Sequence, residues 1–569
     1  MSSKPSVVEA QKDSSLGLRG SIAEELAAAG EAGGLSESSY TLLKFHGTYE
    51  QFDRDTATPR KQQGLDKEWS FMIRVRCPGG RMTAAQWLHL DELADTHADG
   101  TLRLTSRQGV QFHGVLRGNV KPVIAGIDAA LLTSFAACGD VVRNVTTTAA
   151  PRRTAVHAAL QSWAARLSTA LLPKTRAHHD IFLSNDAETP AKAEEEPLYG
   201  PTYLPRKFKI ALVHPADNTP DVLTNDLGFI AKVQGGRIVG WQVTIGGGLG
   251  MTHNKPATFP RLADPVAFIG PDEVLEVAEA VVRLSRDHGD RADRKHARLK
   301  YVLAEKGAEW ARQKLSADLG RELAPPGPLP ELQMPELLGW QIQGDGRLWL
   351  GLPIPSGRIA DRPGVALRTA IREVVSRFGA DPVATPQQDL ILSNLAPESR
   401  QDVEAIFRAH GVTLAEDLTP VARWSLACVA LPTCGQSLAE GERVHAPMLA
   451  AIEAALARQG LAQERLSFRL TGCPNGCARP YAGDIGVVGR APGLYMLFAG
   501  GDFAGTRLSF PIADKVPEAA VASVLEPIFA AFAAARMPGE GFGDFCTRQG
   551  AEALRDLIPD PSSPHTIAA

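Results

Sequence analysis

Hydrophobic and polar positions along the chain repeat with two different periods, which predicts a mixture of strands and helices. Short apolar runs that end in glycine turns are typical of strands, as in FMIRVRCPGG (71–80) and GWQVTIGGG (240–248). Runs with helical spacing of apolar residues lie between them, as at 84–98 and 274–289. Strands and amphipathic helices in this alternation predict an α+β fold built from mixed layers.

The strand-like segments occur twice in the same order, which predicts an internal duplication. Order and approximate spacing are kept through four matches, although segments of the strand–glycine-turn type always share some likeness. Two such halves predict a pseudo-twofold molecule with one site between them. The matched segments are 71–82 with 348–359, 105–112 with 385–392, 225–232 with 483–490, and 240–250 with 493–505.

Four cysteines of the second half have paired spacings. Cys428 and Cys434 form a C-x5-C pair, and Cys473 and Cys477 form a C-x3-C pair. The first spacing is wider than the two to four residues of an ordinary zinc knuckle, and four thiolates suit a bulkier iron–sulfur cluster. Seven cysteines in 569 residues do not predict a disulfide framework. A reducing, cytoplasmic location is therefore expected, where clustered cysteines are more often metal ligands.

The first half carries cations at positions where the overlaid second half mostly has none. Each cation alone has an ordinary explanation, such as a surface arginine or an edge-strand lysine. Four of them together (Arg74, Arg143, Lys207 and Lys209) predict a pocket for a small, doubly charged oxyanion, in which guanidinium binds oxygens and a lysine of lowered pKa donates protons. The overlay places Arg74 opposite Gly351, Arg103 opposite Val383, Arg107 opposite Gln387, Arg143 opposite Trp424, Lys207 opposite Ser467 and Lys209 opposite Arg469.

Bulk composition narrows the class of protein further. The chain is 44% apolar and 22% charged, with a net charge of −4, as expected for a soluble globular protein of several domains. The charge indicates neither nucleic-acid nor membrane binding, and neither a membrane-spanning run nor a secretory signal is expected. The GGGLG segment (246–250) lacks the glycine spacing of a dinucleotide fingerprint, so electrons are expected from a partner protein.

These motifs resemble the sulfite reductase hemoproteins of the sulfite/nitrite reductase family, from about residue 40 onward. TGCPNGCARP (471–480) is the most specific of them. The resemblance implies an α+β fold of three mixed α/β domains around a pseudo-twofold axis, with ferredoxin-like half-domains. The other segments that carry it are LLKFHGTYEQFDRD, LRLTSRQGVQFHG, CGDVVRNV, TYLPRKFK, TNDLGF, GGGLG, DRKHARLKY and GEGFGDF.

The resemblance also implies a division of the chain into domains. The predicted units are a flexible N-terminal arm (1–36), two ferredoxin-like half-domains forming a shared domain (37–135 plus 341–413), a first siroheme-site domain with the substrate cations (136–340), and a second siroheme-site domain with the cysteines (414–569). A docking role is the alternative for the arm.

Two cofactors are implied by the resemblance: a 4Fe–4S cluster and siroheme, an iron tetrapyrrole rich in carboxylates. The four cysteines would hold the cluster, with Cys477 also the axial siroheme ligand. The family pattern assigns anion binding and proton supply to Arg74, Arg143, Lys207 and Lys209, siroheme carboxylates to Arg103, Arg107 and Arg298, and cofactor-proximal positions to His113 and Asn475.

The activity implied is the six-electron reduction of sulfite to sulfide, as in assimilation. A ferredoxin–nitrite reductase is the first alternative, and a non-catalytic protein with a structural four-cysteine metal site is the second. The electron donor is expected to be either a flavoprotein subunit that oxidises NADPH or a ferredoxin. Some relatives join a tyrosine to a cysteine by a thioether, which raises that hypothesis for Tyr49 and Cys138, with a buried free cysteine as the alternative.

Overall fold

The computed structural model of the chain describes residues 4–28, 33–184 and 190–559. Its strands are β1 (Thr48–Phe52), β2 (Trp69–Val75), β3 (Leu102–Leu104), β4 (Val110–Val115), β5 (Thr146–Thr147), β6 (Ile210–Val213), β7 (Leu227–Gln234), β8 (Arg237–Ile245), β9 (Asp264–Ile269), β10 (Gly339–Ile342), β11 (Leu348–Leu352), β12 (Arg358–Ile359), β13 (Asp361–Arg362), β14 (Val365–Ala366), β15 (Asp381–Ala384), β16 (Leu390–Leu395), β17 (Ser425–Ala427), β18 (Phe468–Thr471), β19 (Ile485–Ala491), β20 (Leu494–Ala499) and β21 (Phe510–Pro517).

Helices lie between and around these strands. They are α1 (Val7–Asp13), α2 (Ile22–Ala27), α3 (Glu37–Leu43), α4 (Arg54–Gln62), α5 (Ala84–His97), α6 (Val120–Ala129), α7 (Ala155–Ala170), α8 (Ala177–Phe182), α9 (Val274–His288), α10 (Leu299–Lys306), α11 (Ala308–Leu319), α12 (Leu367–Phe378), α13 (Arg400–Ala409), α14 (Pro420–Arg423), α15 (Glu442–Arg458), α16 (Val521–Ala535) and α17 (Phe542–Leu557).

The sheets confirm the predicted duplication. One pair consists of antiparallel sheets with the orders β1-β2-β4-β3-β12 and β10-β11-β16-β15. The other pair consists of five-stranded mixed sheets, β5-β6-β7-β8-β9 and β17-β18-β19-β20-β21. In both mixed sheets the first two pairings are parallel and the next two are antiparallel. The fold is therefore α+β with two topologically equivalent halves.

The two halves interlock where a glycine turn follows the second strand of each antiparallel sheet. After the turn of the second half, Arg358 pairs with Arg103 of the first half, and Arg81 forms the reciprocal bridge to Val383. This reciprocity is what a pseudo-twofold relation between the halves requires.

Strand register corrects part of the overlay of the halves. Asp226 accepts a hydrogen bond from the backbone N–H of Lys209 (2.9 Å), and Asp484 accepts one from the N–H of Ser467 (2.8 Å). The predicted overlay of the lysines was two residues out of register, because a shift of two keeps every strand side chain on the same face. The corrected pairs are Lys207 with Arg465, Lys209 with Ser467 and, from the register of β5 with β6 and of β17 with β18, Arg143 with Arg423.

One helical stretch, Glu518–Ala535, is long and apolar enough to cross a membrane by length and composition. Its apolar side chains are nevertheless packed in the core of the second half, where Leu525, Ile528 and Phe532 are fully buried. Phe532 contacts the ring of Phe542 on the neighbouring helix α17. The stretch therefore behaves as a core helix of this fold.

Part of the segment predicted as a flexible arm (1–36) packs against the fold within its described residues, 4–28 and 33–36. Leu18 and Ile22 are fully buried, and the Lys12 ammonium donates to the carbonyl of Leu204 over 2.9 Å. The Ala/Glu-rich composition conceals these few buried side chains. Residues 1–3 and 29–32 lie outside the described residues.

Candidate active site

A cavity of about 420 Å³ opens where the two halves meet. Its described lining contains five cations and no carboxylate, so the cavity is suited to an anionic ligand. From the second half it is lined by the cysteine loop at Cys473 and by Asn475. The five cations are Arg206, Lys207, Arg294, Lys295 and Arg298.

A small chamber adjoins this cavity and reaches Cys477. Lys207, Gly250, Arg298 and Asn475 line both spaces, and the exposed Cys477 lines the chamber. Most of the predicted site residues are therefore brought together here. The predicted residues that line one or both spaces are Arg107, Lys207, Lys209, Arg298, Cys473, Asn475 and Cys477.

Lys207 and Lys209 stand at the entrance to β6. Phe208 between them is fully buried, and alternation along an extended segment turns both lysines to the other side, toward the chamber. Burial, followed by the charge of Arg206 for Lys207 and of Arg107 for Lys209, lowers the pKa of each lysine well below its usual range. A bound anion would raise the pKa of both lysines again, so that they take up protons. They could then donate these protons to the ligand.

Arg107 and Arg298 are fixed by hydrogen bonds beneath the chamber. Arg107 donates to the side-chain oxygen of Asn225 (2.8 Å) and to the carbonyls of Asn144 (2.6 Å) and Ile210 (3.1 Å). Burial, then the charge of Arg143, lowers its pKa to about 9. Arg298 is held by a carboxylate, with its NH2 group 2.6 Å from Asp226. Both guanidinium groups are thus rigidly placed.

Arg74 and Arg143 belong to a group around Cys138. Arg74 donates to the Cys138 sulfur (3.2 Å), and Arg143 donates to the carbonyl of Gly139 over 3.2 and 3.3 Å. Burial, then the charge of Cys138, raises the pKa of Tyr49, which keeps the phenol protonated. The structure therefore places Tyr49 and Cys138 as neighbours among these arginines. The thioether stays a hypothesis, and intact mass lower by two hydrogens is its test.

The four cysteines approach one another on two loops of the second half. The backbone N–H of Gly472 donates to the Cys428 sulfur over 3.3 Å. Burial, then the charge of Cys477, raises the pKa of Cys428, Cys434 and Cys473, the last to about 12. Cys477 therefore lies close enough to act on all three. Thiols so destabilised as free anions fit a metal centre, which would hold them as thiolates.

A single metal ion does not fit this arrangement. Within residues 4–28, 33–184 and 190–559, no group of three or more His, Cys, Asp or Glu side chains is close enough to hold one ion. Four thiolates at the two paired spacings suit a cluster of several irons. The donor set thus favours an iron–sulfur cluster over structural zinc.

Arg103 and His113 lie apart from the lining of the cavity and chamber. Arg103 donates to the carbonyl of Ala427 (2.9 Å), next to Cys428, and lies 3.4 Å from the Glu442 carboxylate. His113 is buried, and neither ring nitrogen has a hydrogen-bond partner in the described part of the chain. Arg103 thus holds the loop that carries Cys428 in place. The ring nitrogens of His113 would find a hydrogen-bond partner in a bound group.

Sequence reasoning missed three of the cations that line the cavity: Arg206, Arg294 and Lys295. They sit within PRKFK and DRKHAR, the segments that supplied Lys207, Lys209 and Arg298. The available signal was the density of basic residues in each segment. A strand alternation argument favoured every second residue and so passed over Arg206.

The residues present fit the two cofactors that the sequence resemblance implies. Five cations without a carboxylate line a cavity that borders the cysteine loop. The Nε atoms of Arg74 and Arg107, like the ring of His113, are buried and unpartnered among the described residues. Such atoms are expected to bond a ligand, and a carboxylate-rich tetrapyrrole supplies the acceptors that the arginines need.

Comparisons with known proteins agree with this geometry. A model described as the nitrite and sulphite reductase 4Fe-4S domain matches residues 162–323, and one for the nitrite/sulfite reductase ferredoxin-like half domain matches 65–130. The sulfite reductase [NADPH] hemoprotein beta-component of Myxococcus xanthus is 47% identical over 557 residues, which are 98% of this chain and 99% of the relative. The same component of Acidithiobacillus ferrooxidans is 44% identical over 560 residues, 98% of each chain.

A solved structure supports the fold. The Mycobacterium tuberculosis NirA protein superposes with a TM-score of 0.76, covering 95% of this chain and 98% of its own at 24% identity. The duplicated α+β fold with its site between the halves thus defines an oxidoreductase of the nitrite and sulphite reductase class. Its identity to curated relatives over nearly the full length shows that the chain belongs to the sulfite reductase hemoprotein beta-component family. Siroheme and a 4Fe–4S cluster are the cofactors of that family.

Proposed function

We propose that this chain is the catalytic hemoprotein of an assimilatory sulfite reductase, which reduces sulfite to sulfide with six electrons. The observation that carries the proposal is the cation-lined cavity of about 420 Å³ that borders the cysteine loop. When bound, the siroheme iron and the cluster would relay electrons from the donor protein and would offer a coordination position for sulfur. The protein's own residues would bind and orient the anion and supply protons.

Cys428, Cys434, Cys473 and Cys477 are the proposed cluster ligands, and Cys477 would also hold the siroheme. Its exposure toward the chamber supports this second role. Cations would hold the anionic cofactor by its edge. Arg107 and Arg298 are the proposed residues for this role. Arg103, His113 and Asn475 complete the proposed cofactor-binding set.

Arg74, Arg143, Lys207 and Lys209 are the proposed substrate residues. Arginine gives sulfite oxygens fixed donors, and the ammonium groups of the lysines give charge and protons. Each oxygen leaves sulfite as water, which consumes protons, so a lysine whose pKa is lowered is suited to act as a general acid. The measured consequence would be a lower kcat without Lys209 and a higher KM without Arg74.

Nitrite is the alternative substrate, because the matched domain model covers nitrite and sulphite reductases alike. The donor is proposed to be an NADPH-oxidising flavoprotein, since the curated relatives carry NADPH in their names. Ferredoxin is the alternative donor. We also infer a cytoplasmic location. It accords with seven unpaired cysteines, all of which lie among the described residues.

The test is an anaerobic absorption spectrum of the purified protein, followed by kcat/KM for sulfite and for nitrite with the same reductant. Tetrapyrrole bands and a preference for sulfite are expected. A large preference for nitrite would replace the proposal with nitrite reduction, and a colourless protein would reject both. Turnover with a flavoprotein plus NADPH, compared with reduced ferredoxin, decides the donor.

A further inference from the structure

Asp140 is a buried carboxylate that gathers cations from three separate segments. It is 2% exposed, and Arg294 contacts both of its oxygens, at 2.6 and 3.0 Å. Arg206 lies 3.8 Å away, and Lys12 of α1 lies 3.8 Å from the other side of the same group. Arg206 and Arg294 line the cavity, whereas Lys12 comes from the N-terminal segment.

Helix α1 contacts both segments that carry these cavity cations, one by a hydrogen bond and the other by an ion pair. Lys12 donates to the carbonyl of Leu204, two residues before Arg206. Glu9, on the same helix, forms an ion pair with Arg291, three residues before Arg294. The N-terminal helix therefore contacts segments 203–209 and 290–298 from behind the cavity.

The charges explain why this carboxylate is needed. Arg206 and Arg294 face a cavity that offers no carboxylate of its own among the described lining residues, so they repel each other there. Burial alone would raise the pKa of Asp140, but Arg294 and Lys12 prevail and lower it to about 2. Asp140 is therefore a fixed negative charge behind the two arginines.

We propose that Asp140, supported by Lys12 of α1, is a positioning residue that holds Arg206 and Arg294 at the rim of the cavity for an anionic ligand. The identity of that ligand, siroheme carboxylates or sulfite, rests on the proposed function. The N-terminal helix would then be a brace for the site, a role that its composition did not indicate.

The direction in which Asp140→Asn changes the KM for sulfite distinguishes a positioning role from a purely electrostatic one. Removing a negative charge beside a cationic cavity strengthens the field for anions, which on its own lowers the KM for sulfite. Loss of positioning does the opposite. We expect a KM about fivefold higher with kcat nearly unchanged, or a lower siroheme content per protein. Faster hydrogen exchange confined to 203–209 and 290–298 is expected in either case.

Three further variants sharpen the experiment. Lys12→Met keeps the buried aliphatic stem, and its effects should have the same direction but be smaller. The effects of the two changes should be less than additive in the double variant, because Lys12 acts partly through Asp140 and partly through its own hydrogen bond to Leu204. Asp318→Asn removes the partner of Arg283 in an exposed ion pair between α9 and α11, outside both segments, and its KM and exchange should match those of the wild type.

A lower KM, or unchanged KM, siroheme content and exchange, overturns the inference. Should Asp140→Asn fail to fold, Lys12→Met carries the same test. Failure of the proposed function is a separate result: the wild type would then not reduce sulfite, and exchange in the two segments would still decide the positioning role.

Discussion

Arg298 and Asp226 form a two-point ion pair at the edge of the chamber, with N–O distances of 3.2 and 2.6 Å. Both residues are buried, at 7% and 1% exposed. The same carboxylate accepts the backbone N–H of Lys209. One acidic side chain therefore orients a cavity cation and anchors the segment that carries a proposed proton donor.

Asp226→Asn should destabilise the protein by about 3 kcal/mol, because a buried guanidinium loses its counter-charge. The asparagine oxygen still accepts from Lys209, so the cost reports mainly on Arg298. Urea unfolding of the wild type and the variant measures it. Glu309→Gln, which removes an exposed partner of Arg312, is the matched control and should shift the midpoint little. Equal effects in the two variants would contradict the role given to the buried pair.

The glycine turns that interlock the halves should not tolerate a side chain. Gly80 has φ +78°, and an added Cβ would lie 2.0 Å from the carbonyl oxygen of Ala384; at Gly357 (φ +72°) it would lie 2.5 Å from that of Leu104. Backbone must move in either case, so Gly80→Ala and Gly357→Ala should each cost more than about 2 kcal/mol.

Thermal or urea unfolding of both variants tests this expectation. Gly118→Ala is the control, because its Cβ would meet nothing within 4 Å. If Gly80→Ala were as stable as the control, the two halves would not approach each other at this turn as closely as the structure shows.

Sequence reasoning predicted the parts of the site that repeat or cluster. The paired cysteines gave a cluster site, and the repeated strands gave two equivalent halves, because each leaves a periodic or spaced signature. The pairing of Lys207 with Ser467 was wrong, since period-two alternation does not distinguish a shift of two residues. The packing of Lys12 against Asp140 joins residues 128 positions apart, and no local pattern in a polar N-terminal segment records such a contact.

Cys477→Ser should abolish sulfite reduction, because this cysteine is proposed to serve both metal centres. Absorption spectra before and after reduction would show whether the two chromophores remain coupled. Cys546→Ser is the matched control: this cysteine is buried in the core of the second half, away from the cysteine loops, and its variant should keep both chromophores and activity. Full activity of Cys477→Ser would exclude this cysteine as a residue that holds the siroheme.

Lys209 should make the stability of the ligand-free protein depend on pH. Burial, then Arg107, lowers its pKa in the folded state well below 10.5, while the unfolded chain keeps the ordinary value. Between those two pKa values the unfolded state binds the extra proton, so this lysine makes stability rise with pH, by at most about 1.4 kcal/mol per pH unit.

Lys209→Met should therefore flatten the increase in unfolding free energy between pH 7 and 9, measured with urea on siroheme-free protein. Lys61→Met, on an exposed position of α4, should leave the wild-type slope intact. A Lys209→Met slope equal to that of the wild type would show that this lysine is charged in the folded protein, and it would then be a fixed anion ligand rather than a proton donor.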